Sequence, residues 1–330
     1  MALTVDSAFL EFNKDIVNLD SEKTKKARSS RDWLIKQLNA LPSKLDDFPT
    51  LYEARHINFG SFARNTKIRP LDDIDLLLVF NASGGTHSES FFDNNTHTIN
   101  IPEDSKNLRK LCNDDGTLNS IKVVNKIVSS LNKIEHYKNA IKHRREEAAT
   151  LSLSSYEWNF DIVPAFYATD DFYLIPDGKG KWKKTDPRID QLNVTLVNQK
   201  HNGQVLQLIR TLKYWQKRQN MPTISSYLFE VIVLTYFNSK DTIENYIDLN
   251  MRDFWGYLED GIYNSFPDPK GFQGELNTLD YEAQNKISSI AKQSYNKACD
   301  AISFEVNDKN MKKSINKWKE VFGSSFPDYK

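Results

Sequence analysis

The stretch from Ile57 to Phe80, I-N-F-G-S-F-A-R-N-T-K-I-R-P-L-D-D-I-D-L-L-L-V-F, constrains the fold more than any other part of the chain. Its end, Leu76-Leu77-Leu78-Val79-Phe80, is a continuous apolar run of strand length, as expected of a central strand covered on both faces. Two acids stand at the entrance of that strand. Strand side chains alternate, so Asp73 and Asp75 project from one face while Asp72 and Ile74 project from the other. Upstream, Gly60-Ser61 offers a glycine where backbone must approach closely, then a hydroxyl and N–H groups at a predicted helix start, which suits a phosphate. Paired carboxylates repel unless a cation sits between them, and oxygen ligands favour Mg²⁺ or Mn²⁺ over zinc. Taken together, a phosphate-cradling Gly-Ser and a metal-holding Asp-x-Asp point to nucleoside triphosphate chemistry. An isolated Asp-x-Asp after Pro70 would read as a solvated acidic turn; the surrounding turn, helix and strand weigh against that.

The totals narrow the class. A chain of 330 residues makes two lobes or one large domain, with ample length for a core. A hydrophobic fraction of 39% and a charged fraction of 27% belong to an ordinary globular protein and exclude a disordered one. Lysine and arginine number 44 against 44 aspartates and glutamates, so no global charge draws the chain to long nucleic acid or an anionic membrane. Cys112 and Cys299 are too few for a C-x-x-C zinc site or a disulfide framework, which fits a reducing cytoplasm. The opening M-A-L-T-V-D-S-A-F-L-E-F lacks the pattern of a signal peptide, and no apolar run is long enough to span a bilayer. A cytoplasmic location without a membrane partner is the expectation.

Along the chain, Phe9, Phe12, Ile16 and Leu19 recur at helical spacing, and Leu34, Leu38 and Leu41 form a second stripe, predicting two helices or one bent one. Pro42 and Pro49 mark a loop before a strand ending at Ile57. Asn81 to Asn100, with Gly84-Gly85 and Asp93-Asn94-Asn95, reads as a loop. Ile121 to Lys142 has helical periodicity, and the mixed charges of Lys138 to Glu147 read as the solvated end of that helix in preference to a nucleic-acid contact. Leu151 to Tyr167 reads as strands, and Phe172-Ile175 with Lys181-Lys183 as a hairpin around P-D-G-K-G. From Gly203 the period is helical, placing a lobe boundary near Asp190 to Gly203. Beyond it lie an apolar helix at Tyr227–Phe237, a loop at Pro267 and Pro269, a helix over Tyr281–Ala301, and a last helix with Trp318 and Phe322 one turn apart before Gly323.

G-S-F-A-R-N-T followed by D-I-D resembles the signature of the DNA polymerase beta nucleotidyltransferase superfamily. The resemblance implies an α/β (α+β) fold: a nucleotidyltransferase core with a mixed sheet over residues 46–200, a helical lobe over 201–330, and bracing N-terminal helices over 1–45. It also implies that Ser61 binds a terminal phosphate of the donor nucleotide, beside Gly60, and that Asp73 and Asp75 hold two metal ions, Mg²⁺ or Mn²⁺. A third acid is implied on a later strand, and Asp161 in Y-E-W-N-F-D-I-V-P-A is the candidate, since an acid among Phe160, Ile162 and Val163 needs a partner. In the second lobe, L-I-R-T-L-K-Y-W and I-S-S-Y are similar to cyclic GMP-AMP synthase and its bacterial relatives, the CD-NTases. There a helix lysine meets the donor triphosphate, a serine adds a phosphate contact and the next tyrosine stacks on a base; Lys213, Ser226 and Tyr227 match. Each also has a plainer reading, as a surface lysine, a helix cap and a core aromatic. The histidine and cysteine zinc insertion of the animal DNA sensor is absent, so the bacterial branch fits better. That branch makes cyclic di- or trinucleotides from nucleoside triphosphates, ATP among them, for an effector protein in anti-phage signalling, in some systems with ubiquitin-like or HORMA partners. Template-independent nucleotide addition to RNA or protein, and an inactive nucleotide-binding regulator, are the alternatives.

Overall fold

The computed structural model describes residues 2–91 and 93–330. Its chain separates into two compact units, one of Ser21–Arg64 and Leu71–Gln191, the other of the residues up to Asp20, Asn65–Pro70 and Leu192–Lys330. This division differs from a simple three-part order: the first helix belongs with the C-terminal half of the chain, whereas the second belongs with the sheet.

The sheet unit is built around β2 (Asp73–Phe80) and β7 (Asn159–Tyr167), which run parallel and pair along their whole length from Asp73 opposite Asn159 to Phe80 opposite Phe166. The apolar run of β2 is buried from Leu76 to Phe80, as its composition requires of a central strand. The strand order is β1 (Ile57–Phe59), β2, β7, β8 (Tyr173–Pro176), β9 (Trp182–Thr185), β4 (Asp93–Asn100) and β3 (Thr86–Ser90). A branch of β5 (Ile141–Arg145) and β6 (Ala148–Ser152) joins β7 through β6. β7 therefore changes neighbour on one side, pairing β6 over Asn159–Ile162 and β8 over Phe166–Tyr167. Pro164, which has no N–H to give a ladder, falls in the gap between them. Around the sheet lie α2 (Ser21–Asn39), α3 (Leu41–Lys44), α4 (Gly60–Ala63), α5 (Lys106–Arg109) and α6 (Ser120–Leu131). Asn119 caps α6 by accepting from the N–H groups of Ile121 and Lys122 at 3.0 and 3.2 Å. Fully buried Trp182 on β9 donates its indole N–H to the Leu118 carbonyl at 2.9 Å, tying the hairpin to the segment before α6.

The helical unit holds α1 (Val5–Phe12), followed by a short π-helical turn at Asn13–Val17, then α8 (Val205–Arg218), α9 (Ser226–Asn238), α10 (Ile247–Gly261), α11 (Tyr281–Val306) and α12 (Met311–Phe322). α7 (Pro187–Lys200) precedes them, and the two units divide at Gln191 and Leu192. Thr4 and Ser7 begin α1 with a reciprocal capping box. The core is aromatic: Phe9 packs edge-on against Trp318, Phe322 and Phe326 at 5.1, 5.7 and 5.0 Å between ring centres. Phe9 and Phe12, at helical spacing in the sequence, are both buried, and truncating such a ring costs about 3–5 kcal/mol. Gly323 ends α12 with a φ of 83°, a conformation that favours glycine.

Several sequence expectations need correction. Asn81 to Asn100 is not a loop: β3 and β4 form an antiparallel hairpin there, with Phe92 outside the described residues. Its strands are polar, and among their described residues only His97 and Ile99 are buried, the rest being half-buried or exposed. The charged run after α6 is not the end of that helix, which stops at Leu131; Ile141–Arg145 is an edge strand, and Glu146 turns it back with a φ of 50°. Its lysine and arginines suit an edge that must not pair further. The strand near Ile57 starts there and does not end there, and Pro42 sits in the first turn of α3. The segment Asp190 to Gly203 is largely helix α7, whose Leu192 and Leu196 are exposed, so no clean apolar stripe announces it. The helix α10 is likewise absent from the sequence expectations.

Candidate active site

In the sheet unit, one face of four neighbouring strands changes from apolar to acidic in successive rows. Leu77, Val163 and Ala148 lie side by side in a buried cluster completed by Val79, Ala165 and Tyr173, with Ile57 and Phe59 against it. The next row on that face is Phe59, Asp75, Asp161 and Thr150, each opposite its neighbour in register. Asp73 stands in the row beyond, opposite Asn159. The acids therefore continue, along the same face, where the buried apolar cluster ends. One carboxylate oxygen from each of Asp73, Asp75 and Asp161 lies within 4.8 Å of one from each of the others. Parallel pairing of β2 with β7 brings together residues 86 positions apart, Asp75 beside Asp161.

Gly60 explains how the upstream turn fits against these acids. Its φ is +73°, and a Cβ built on it would lie 1.8 Å from Oδ2 of Asp75 and 2.7 Å from its Cγ. The glycine is thus required twice, by its backbone conformation and by the carboxylate pressed on its Cα. Ser61 follows in the first turn of α4, where N–H groups have no carbonyl of their own helix to meet. Thr150, buried on β6, donates its hydroxyl to Oδ1 of Asp161 at 2.6 Å. Three clustered carboxylates raise one another's energy, and a hard divalent cation relieves this. All-oxygen donors in this arrangement fit a hard divalent cation, and Asp73, Asp75 and Asp161 are the residues that would hold it.

The three remaining candidates belong to the helical unit. Lys213 on α8 is buried, with its ammonium 3.4 Å from Oε2 of buried Glu230 on α9, so it is no surface lysine. That same glutamate oxygen accepts from the Thr66 hydroxyl at 2.8 Å. Ser226 is exposed in the first turn of α9, but the cap is Ser225, whose hydroxyl accepts from Leu228 N–H at 3.1 Å. The capping role thus falls to the preceding serine. Tyr227 is half-buried; its hydroxyl donates to Oδ1 of Asp268 at 3.0 Å and accepts from the Lys270 ammonium, which also lies 4.0 Å from the ring centre. Burial pushes the Asp268 carboxyl up, but the Lys270 charge and the hydrogen bonds from Lys270 and Tyr227 outweigh it and hold the group below its ordinary value.

Sequence reasoning missed Thr150, and it missed the pair Asp268 and Lys270. No local motif marks Thr150, whose meaning depends on the register of β6 against β7. The pair in P-D-P-K-G had a signal, since a loop bounded by two prolines and a glycine holds a rigid shape, but nothing connected it to Tyr227.

No protein-family model matches the chain. A probable cyclic nucleotide synthase of Bacillus cereus (strain VD146) is 50% identical over 335 residues, covering 100% of this chain and 99% of that protein. Among solved structures, CdnC of Escherichia coli MS115-1 with ATP superposes with a TM-score of 0.70 at 18% identity, covering 98% of both chains. The Vibrio cholerae cyclic AMP-GMP synthase DncV, a prokaryotic homologue of cyclic GMP-AMP synthase, superposes with a TM-score of 0.67 at 12% identity, covering 99% of this chain and 98% of its own. The fold, the acidic row and half-identity to a full-length relative agree: this chain belongs to the cyclic GMP-AMP synthase-like nucleotidyltransferases, the CD-NTases.

Proposed function

We propose that this chain joins ribonucleoside triphosphates, ATP among them, into a cyclic di- or trinucleotide that acts as a second messenger. The observation that carries the proposal is the convergence of Asp73, Asp75 and Asp161 at the rim of the sheet, with Gly60 packed on Asp75. The full-length relationship to a probable cyclic nucleotide synthase supports it. In each transfer, a 2′- or 3′-hydroxyl oxygen bonds to the α-phosphorus of a triphosphate. The bond from that phosphorus to the bridging oxygen breaks, pyrophosphate leaves, and the hydroxyl proton is lost. The last transfer, the second for a dinucleotide and the third for a trinucleotide, occurs within the linear product and closes the ring.

The residues divide this work. Asp73, Asp75 and Asp161 would hold two divalent cations, Mg²⁺ or Mn²⁺. When bound, such ions neutralise the triphosphate and stabilise the attacking and leaving oxygens of an in-line displacement. Ser61 binds the terminal phosphate with its hydroxyl and the adjoining N–H groups, and Gly60 keeps the backbone close enough to allow it. Lys213 and Ser226 are assigned to triphosphate contacts and Tyr227 to base stacking. Positioning and charge neutralisation then supply most of the rate. The product is read by a downstream effector protein in anti-phage signalling, and the chain works in the cytoplasm; among its described residues no helix is long and apolar enough to cross a membrane.

The test is release of pyrophosphate from mixed ribonucleoside triphosphates with Mg²⁺ or Mn²⁺. Wild-type protein should release it, and Asp161→Asn should reduce the rate by several orders of magnitude while keeping the thermal transition. An Asp161→Asn enzyme with wild-type turnover would refute the assignment of the third acid.

A further inference from the structure

The carboxylate of Asp161 is the only one of the three acids that arrives from β7, and it accepts a hydrogen bond from a neighbour outside any motif. Thr150 stands directly opposite it on β6, and their side chains share the face that carries Asp75. The threonine is 3% exposed, and its hydroxyl donates to Oδ1 of Asp161 across 2.6 Å, a short bond of the kind made to an ionised acceptor. Threonine is suited to this task, because its branched Cβ restricts χ1 and the sheet on either side holds its backbone. On the other side of Asp161, Asp75 packs against Gly60 in space that a Cβ would fill. The two acids in one row therefore have different neighbours, one a glycine that makes room for it and one a hydroxyl that donates to it.

We infer that Thr150 is a positioning residue of the active site, which fixes the rotation of the Asp161 carboxylate and so the affinity of the acidic row for its divalent cation. The inference rests on the proposed metal role of the triad and extends it to a residue that acts through Asp161. Partners of metal-holding carboxylates contribute in this way: removing one typically weakens metal binding or activity by 10- to 100-fold. Valine at position 150 keeps the volume, the branched Cβ and the strand preference while removing the donor. Serine keeps the donor and loses a methyl group.

The experiment measures free Mn²⁺ by electron paramagnetic resonance during titration of the full-length protein without nucleotide. It compares wild type, Thr150→Val, Thr150→Ser and Asp161→Asn, with thermal unfolding of each. Thr150→Val should bind Mn²⁺ about tenfold more weakly at an unchanged melting temperature, and Thr150→Ser should stay within about twofold of wild type. In the Asp161→Asn background, adding Thr150→Val should change nothing further. Should Thr150→Val fail to fold, Thr150→Ala carries the same comparison against Thr150→Ser. Wild-type Mn²⁺ affinity in Thr150→Val alongside lost affinity in Asp161→Asn would overturn the role of Thr150 alone. Wild-type affinity in Asp161→Asn would refute the metal role of the triad, and the role of Thr150 with it.

Discussion

Gly60→Ala offers a sharp separation of stability from activity. The new Cβ would lie 1.8 Å from Oδ2 of Asp75, whereas ordinary contact begins near 3.4 Å, so that oxygen must move. The displacement is roughly 1.5 Å, and a misplacement near 1 Å in an active site can cost on the order of 100-fold in rate. Stability should suffer much less. The φ of +73° costs alanine about 1–2 kcal/mol, and turning Asp75 off its preferred rotamer adds about 1 kcal/mol. A matched control exists in Gly178, in the turn between β8 and β9, which has a φ of +83° and nothing within 4 Å of its built Cβ. Gly178→Ala therefore carries the backbone strain without the collision. Thermal unfolding and initial rates of pyrophosphate release should show both variants melting a few degrees below wild type. Gly60→Ala should be at least about 100-fold slower, with Gly178→Ala within about twofold of wild type. Equal rates for the two variants would refute the claim that the glycine serves the carboxylate.

Three further outcomes follow from groups that are wholly or partly buried. His56 accepts from Val79 N–H at Nδ1 and meets Oδ1 of Asn39 at Nε2, and burial lowers its pKa from 6.5 to about 4. The folded state thus resists a proton that the unfolded chain accepts: the stability is complete above pH 6.5 and is lost as pH falls toward 4, by about 3 kcal/mol in all. Denaturant titrations of wild type and His56→Asn across that range should diverge in slope, and parallel curves would contradict it. Lys213→Met removes the cation beside buried Glu230 and should cost about 3 kcal/mol, partly regained on adding Glu230→Gln, as measured by urea unfolding. Tyr227→Phe loses the hydroxyl between Asp268 and Lys270 but keeps the ring, so it should lose about 1–2 kcal/mol of stability while retaining nucleotide affinity, whereas Tyr227→Ala should lose both.

What the sequence makes legible is local and strongly patterned. The run Leu76–Phe80 announces a central strand because only burial on both faces suits five consecutive apolar residues, and alternation alone places Asp73 and Asp75 together. The position of Asp161 among apolar neighbours singles it out, but its place beside Asp75 is a matter of strand pairing between distant segments. Thr150 is invisible for that reason: a threonine in A-A-T-L-S is an ordinary strand residue until β6 is set against β7. The hairpin of β3 and β4 escapes for another reason. Strands that bury few side chains need little apolar alternation, and polar residues next to Gly84-Gly85 look like loop. Lys213 shows the limit for side chains, since nothing in L-I-R-T-L-K-Y-W tells that its partner Glu230 is buried one helix further on.

The central claim is tested most directly by the product itself. Purified protein is incubated with the four labelled ribonucleoside triphosphates and Mg²⁺ or Mn²⁺, treated with phosphatase and analysed by mass spectrometry, beside Asp75→Asn. A phosphatase-resistant cyclic di- or trinucleotide, made by wild type and absent with Asp75→Asn, is the predicted result. No cyclic product from wild type while label passes to the ends of RNA added in a parallel incubation, or the same cyclic product from Asp75→Asn, would contradict the account.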